Sequence, residues 1–180
     1  MSALLRVQRL LVLPVLLASA LVAATWVATA PSADATSSSP QARSASEGSR
    51  SQAQIRRIKK IRAATRVASR QKGDPYVYGA AGPNSFDCSG LTYFAYGKVG
   101  INLPRSSDAQ YRHLRHIKKK NLKRGDMIFF HSGGSVYHLG IFVGRKNGER
   151  MILHSPNSGS VVNRDPVWTG QWYAGTLRRR

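Results

Sequence analysis

The chain's only cysteine, Cys88, stands in Phe86-Asp87-Cys88-Ser89-Gly90-Leu91, and five histidines follow it: His113, His116, His131, His138 and His154. A thiol within hydrogen-bonding reach of an imidazole makes a nucleophile and its base, and a third polar group can fix the ring's tautomer. Just before the cysteine, Pro75-Tyr76-Val77-Tyr78-Gly79-Ala80-Ala81-Gly82-Pro83 must be irregular backbone. Just after it, Leu91, Phe94, Ala95 and Val99 recur at helical spacing. Cys88 is therefore expected where a loop becomes a helix. Unpaired N–H groups and the helix dipole favour an anion there. Such a position can bring a thiol from a pKa of about 8.5 into the range of about 3.5–7.5. Two other uses of a lone cysteine compete. It can be a small buried hydrophobe, or it can join His138 and His154 in a zinc site, although the short paired spacing of structural zinc sites is missing.

The histidines differ in setting. His113 and His116 lie among Arg112, Arg115 and Lys118 and suit a solvated helix face. His131 precedes Ser132-Gly133-Gly134 and is expected in a mobile turn. His138 opens an apolar run after that glycine-rich turn, and His154 ends the next run. In an antiparallel pair the start of one strand lies near the end of the next, so His138 and His154 can be neighbours. A base and its orienter need that relation.

Met1 to Arg9 carries Arg6 and Arg9, and an apolar stretch then runs to Ala30. Ala28-Thr29-Ala30 and Ala33-Asp34-Ala35 both fit cleavage sites, so residues 1–35 read as a secretory signal peptide. An uncleaved anchor is the alternative, since about 20 apolar residues can span a bilayer. Export makes a single cysteine a free thiol, because it has no internal partner. Residues 36–51, rich in Ser, Ala and Arg, are expected to be a disordered linker, and 52–180 the folded domain. That domain opens with a basic amphipathic helix carrying Ile55, Ile58, Ile61, Ala64, Val67 and Ala68 on one side. A second helix starts at Cys88 and a third near Ser106 or Ser107 as N-cap, with Lys118-Lys119-Lys120 a charged surface turn. Short apolar runs at 127–130, 139–144, 151–154 and 161–163 predict consecutive antiparallel strands, with Gln171 to Leu177 a last one. Helices first and a meander after them make an α+β domain.

From about Ala63 to Arg178 the chain resembles the NlpC-type family of bacterial cell-wall cysteine peptidases, in the papain-like group. The resemblance rests on Pro75-Tyr76-Val77-Tyr78-Gly79, Phe86-Asp87-Cys88-Ser89-Gly90-Leu91 and Leu103-Pro104-Arg105-Ser106 with Gln110. It continues through Gly125-Asp126-Met127-Ile128-Phe129-Phe130, His138-Leu139-Gly140-Ile141-Phe142-Val143-Gly144 and His154. It implies a papain-like fold, with Cys88 as nucleophile, His138 as general base and acid, and His154 as the orienting third member. It further implies that Tyr76 helps polarise the oxyanion and that Asp87 and Ser89 line the substrate groove. Where the family usually has two glycines this chain has Gly79-Ala80, which requires a negative φ at Ala80.

The resemblance implies hydrolysis of an amide bond in peptidoglycan stem peptides, between γ-linked D-glutamate and a diamino acid, with no metal or organic cofactor. A related amidase or acyltransferase is the nearest alternative, and a non-catalytic cationic wall-binding protein another. The charge bears on partners: 28 basic against 8 acidic residues give +20, and +19 without residues 1–35, which hold Arg6, Arg9 and Asp34. Such a chain binds polyanions. With an export signal the expected partner is the anionic cell envelope rather than a specific nucleic acid, and a monomer with no membrane span after cleavage is expected.

Overall fold

Ile61, Ala64, Thr65 and Ala68, three and four residues apart, are buried, so one stripe of the first helix faces the core. A computed structural model describes residues 40–179, with side-chain environments from residue 47. The candidate export segment lies outside the described residues. That first helix, α1, spans Pro40–Arg70 and begins earlier than the sequence pattern predicts. From Pro40 onward the expected linker is helical backbone, because Ala, Arg, Glu and Gln are good helix formers and proline is tolerated at a first helical position. Residues 47–52 are exposed, and packing starts only at Ala53.

Helix α2 (Cys88–Gly97) and helix α3 (Ser107–His113) follow, with Asp87 and Ser106 as their N-caps. Six antiparallel strands come next: β1 (Arg115–Ile117), β2 (Met127–Ser132), β3 (Ser135–Lys146), β4 (Glu149–His154), β5 (Asn163–Pro166) and β6 (Trp172–Thr176). The order across the sheet is β1-β6-β2-β3-β4-β5. Strands β2 to β5 form the expected meander. The last strand does not extend it; β6 returns to pair with β2, and the short polar β1, which hydrophobic pattern does not reveal, pairs with β6. The result is the α+β fold the sequence implies, helices first and an antiparallel sheet after them.

Strand β2 is buried on both faces, which explains the unbroken Met127-Ile128-Phe129-Phe130 run. Met127 and Phe129 join Leu139, Ile141 and Leu153 in the core shared with α1 and α2. Ile128 and Phe130 join Phe142, Ile152, Trp172 and Ala174 in a second cluster. Tyr96 of α2 is fully buried and donates its hydroxyl to the Gly125 carbonyl at 2.6 Å, tying α2 to the turn before β2.

The loop ahead of α2 is held by one close approach. Asp87 N–H donates to the Ala80 carbonyl at 2.9 Å, and a Cβ on Gly90 would stand 2.0 Å from that same oxygen. Ala80 avoids positive φ, while Gly79 takes φ 78°, so the loop accommodates alanine where the family usually has a second glycine. Gly90→Ala is expected to lower stability by about 2 kcal/mol or more, since overpacking against backbone has no flexible side chain to absorb it. Chemical denaturation monitored by tryptophan fluorescence measures this, and a variant unfolding with the parent would show that the loop can yield.

Candidate active site

Asp87 caps the helix on which Cys88 is the first residue. Its Oδ1 accepts from Gly90 N–H at 2.6 Å, and its Oδ2 from Gly79 N–H at 3.0 Å. Arg105 closes on both oxygens, at 3.0 and 2.5 Å. The guanidinium holds the carboxyl below its ordinary value against the opposing effect of burial, which is the largest single influence. Ser89 Oγ bridges the same pair, 3.1 Å from Asp87 and 2.9 Å from Arg105. Asp87 and Ser89 therefore line the cleft wall but spend their hydrogen bonds internally, and both are buried. Arg105 lines the same cleft, with its side chain 38% exposed. Gln110, fully buried, ties the helices together: its Nε2 donates to the Ser89 and Pro104 carbonyls, and Thr92 donates to its Oε1 at 2.7 Å.

The cleft, of about 480 Å³, is lined by Tyr76, Tyr78, Asp87, Cys88, Arg105 and Tyr137 among others. The Tyr76 hydroxyl, which lines the cleft with Cys88, is pushed up, first by burial and then by the negative charge that Cys88 and Asp87 can carry.

On neighbouring strands β3 and β4 the structure brings His138 and His154 together. His138 Nε2 lies 2.8 Å from His154 Nδ1, and His154 Nε2 lies 2.8 Å from Asp165 Oδ2 on β5. The tautomers follow from this network. A carboxylate only accepts, so His154 Nε2 carries a hydrogen. Burial outweighs Asp165 and holds His154 below its ordinary value, so the ring is neutral and its Nδ1 is a bare acceptor. His138 Nε2–H must then donate to it. Burial, with His154 adding to it, lowers His138 to about 3, so that ring too is neutral and its Nδ1 keeps a free lone pair. The indole of Trp168 lies 5.8 Å from the His138 ring and 5.5 Å from His154, and stacks on Phe130 at 4.1 Å. It shields the pair from water on one side.

Cys88 lies near Leu139 of β3, whose backbone N–H, next to His138, favours its thiolate, as do those of Ser89 and Cys88 itself. Burial is nonetheless the largest influence and pushes the thiol up, with the Asp87 charge acting in the same direction. Burial therefore opposes the lowering that the helix terminus favours. Burial thus favours the neutral form of both the Cys88 thiol and the His138 imidazole.

The other histidines lie elsewhere. His113 ends α3 and is exposed; His116 is on β1, stacked on Tyr111 at 4.2 Å. His131 belongs to β2 rather than to a turn, and stacks on Tyr173 at 4.0 Å. Asp165, Arg105 and Trp168 were not singled out from sequence. Asp165 sits in a polar strand, Asn163-Arg164-Asp165-Pro166, with no motif around it; only β4–β5 pairing, which sets Leu153 beside Arg164 and Ile152 beside Asp165, carries it to His154.

Residues 73–180, more than half of the chain, match the family model described as NlpC/P60. The chain belongs to the NlpC/P60 family. A probable endopeptidase p60 of Listeria innocua is 44% identical over 108 residues, covering 59% of this chain and 22% of that protein. Murein DD-endopeptidase MepH of Escherichia coli is 37% identical over 133 residues, covering 66% of this chain and 47% of MepH. The chain thus spans about a fifth of the Listeria relatives and about half of MepH. Among solved structures, the peptidoglycan hydrolase RipB of Mycobacterium tuberculosis superposes with TM-score 0.61 at 28% identity, over 70% of this chain and 68% of that one.

The depressed imidazole has a measurable consequence in this NlpC/P60 domain. Between the ordinary value of about 6.5 and about 3, the unfolded chain binds a proton at His138 that the folded chain does not. Stability is therefore lost as pH falls through that window. The parent's thermal midpoint should drop more steeply below pH 6.5 than that of His138→Gln. Parallel curves would show that the ring protonates readily in the folded state.

Proposed function

We propose that this chain is an exported peptidoglycan endopeptidase in which Cys88, His138 and His154 act as a catalytic unit. The observation that carries this reading is the hydrogen-bonded chain from Asp165 through His154 to His138, whose next residue, Leu139, offers its backbone N–H to the Cys88 sulfur. Hydrolase names among the relatives support it, as does the N-terminal export pattern.

As Cys88 Sγ attacks the substrate carbonyl, its proton passes to His138 Nδ1 and a C–S bond forms. The resulting oxyanion is met by the Cys88 N–H at the helix terminus and by the Tyr76 hydroxyl. His138 then protonates the leaving amine as the C–N bond breaks. Water, deprotonated by His138, attacks the thioester and restores the thiol. Because both groups start neutral, thiolate and imidazolium arise together, and the His154–Asp165 pair stabilises the positive ring as it forms. No step calls on a metal or organic cofactor. Trp168 and the buried ring walls keep bulk water from competing for the His138–His154 hydrogen bond.

The bond assigned is that between γ-linked D-glutamate and a diamino acid in the stem peptide. The half-exposed guanidinium of Arg105 offers the cleft a donor for a stem-peptide carboxylate. The basic surface serves retention on the anionic envelope. Digestion of purified peptidoglycan with fragment analysis by mass spectrometry tests the assignment: new diamino-acid amines and D-glutamyl carboxylates are expected. Release at D,D cross-links would move the bond to the one MepH's name denotes, and no amide cleavage at all would overturn the hydrolase reading.

Cys88→Ala and His138→Ala should abolish turnover. His154→Ala should retain some activity, and His154→Asn more, because an amide oxygen still accepts the His138 N–H. Asp165 positions rather than reacts, so Asp165→Ala should lower kcat by about tenfold with KM little changed. Asp165→Asn should recover part of that loss through its amide oxygen. Steady-state kinetics on a stem peptide measure all six, and an Asp165→Ala enzyme with parental kcat would remove Asp165 from the relay.

A further inference from the structure

On a part of the surface that shares no lining residue with the cleft, two cavities of about 600 and 270 Å³ adjoin, with Gln54, Lys123 and Arg178 lining both. The larger lies between α1 and the turn before β2 and is walled by Arg62, Arg66 and Arg124. The smaller continues past the end of β6 and adds Arg115 and Arg179. The only carboxylate lining either is Asp126, which is 1% exposed. Its oxygens are already taken by the Thr176 hydroxyl, the Lys123 N–H and the Arg178 guanidinium. Arg178 is thereby balanced. Among the described residues, none of the other cations along these cavities has a carboxylate within salt-bridge distance.

Crowding of like charges extends to the rim: Arg57, which donates to the Leu177 carbonyl, is lowered by burial and then by Arg179. Solvent and salt moderate such repulsion without removing it. A multivalent anion would relieve it. Nearly all these cations are arginines, whose planar fork pairs with two oxygens of one phosphate where lysine offers a point charge. Two cavities sharing a wall suit a linear chain of phosphates better than a single ion. The only apolar side chains lining them are Ile58 and Ile117, both half-buried, whereas a membrane-seated surface needs exposed apolar groups to insert.

We propose that this double groove is a binding site for a phosphodiester polymer, a polyol-phosphate chain, and that it anchors the domain to its polyanionic surroundings independently of catalysis. The cavities become successive phosphate seats, with Lys123 and Arg178 between them.

The test uses the full chain and a fluorescein-labelled synthetic glycerol-phosphate hexamer, read by anisotropy at about 0.15 M salt. Two triple variants remove equal charge: Arg62→Gln/Arg66→Gln/Arg124→Gln in the groove, and Arg56→Gln/Arg70→Gln/Lys146→Gln outside it. Groove substitution should weaken binding by about tenfold or more and flatten the salt dependence, and the outside set should change affinity by less than about twofold. Equal losses in both would mean that net charge alone binds the polymer, and the proposal falls. It also falls if phosphatidylglycerol vesicles lose binding to the groove variant in the same ratio, since the site would then be one for headgroups. Should the glutamine variant melt early, Arg62→Lys/Arg66→Lys/Arg124→Lys keeps the charge and removes the fork. A several-fold loss there supports bidentate phosphate seating, and parental affinity overturns it. Turnover of a small stem peptide should be the same in all variants, and because binding is read without catalysis, failure of the hydrolase reading leaves the outcome intact.

Discussion

The Asp87 carboxylate is the constraint on which the site depends. Its two oxygens hold the Gly79 N–H of the preceding loop, the Gly90 N–H of α2, the Ser89 hydroxyl and the Arg105 guanidinium. Loop, helix terminus and the approach to α3 are thus pinned to one group next to the nucleophile. A buried carboxylate with only one of these partners would be unfavourable; with all of them it is held below its ordinary value. Removing Asp87 would free the loop and strand an arginine at the same time. The residue flanking the cysteine is therefore structural before it is chemical, as is Ser89.

Two physical effects compete at Cys88, and burial prevails. A helix N-terminus and three nearby backbone N–H groups favour the thiolate, but desolvation and the Asp87 charge oppose it. The facing imidazole is held neutral by the same desolvation. A preformed ion pair would have to be maintained in a dry cleft, whereas a neutral pair separates charge only as the substrate carbonyl is attacked. The Asp165 carboxylate, 41% exposed, is a suitable end for that chain, because water can stabilise its charge while the buried rings stay dry.

The parts of the site that sequence reveals are those with a local signature. Cys88 sits at a loop-to-helix junction that composition announces, and His138 and His154 terminate adjacent apolar runs whose pairing follows from antiparallel geometry. Gln110 belongs to the recognised pattern, but its work, bonding Ser89 and Pro104, is visible only once the helices are packed. Asp165 and Trp168 have no local signature; a polar strand and an irregular segment bring them to the histidines through tertiary contact. His131 misleads for the same reason, since its partner Tyr173 comes from a strand far along the chain. The sheet order shows the same limit. Alternation predicts β2 to β5, but whether the last strand adds beside β5 or returns to β2 depends on which buried edge is free, and Trp172 and Ala174 complete the second apolar cluster only beside β2. A helix-dipole argument carries no knowledge of burial, which is the larger influence on the Cys88 thiol and opposes it.

The proposed nucleophile and base come from different layers, one from α2 and one from β3, so no local conformation sets their relation. It is set by how α2 seats on the sheet: Leu91 and Ala95 share one core with Leu139 and Ile141, and Tyr96 fixes the helix to the Gly125 carbonyl. On the sheet side Gly140 carries no side chain where a Cβ would come within 3.1 Å of the Cβ atoms of His154 and Ile152, so β3 and β4 close tightly around the imidazole pair. A methyl group at Gly140 would widen that spacing and stretch the 2.8 Å ring-to-ring hydrogen bond without touching a reacting atom. The hydrophobic core is therefore part of the proposed site's geometry: it determines the reach between a thiol on a helix and a ring on a strand. The arginine-lined groove, built between α1 and the strand ends, draws on the same packed layers but shares no lining residue with the cleft, so the proposed retention and the proposed chemistry can vary separately in one small domain.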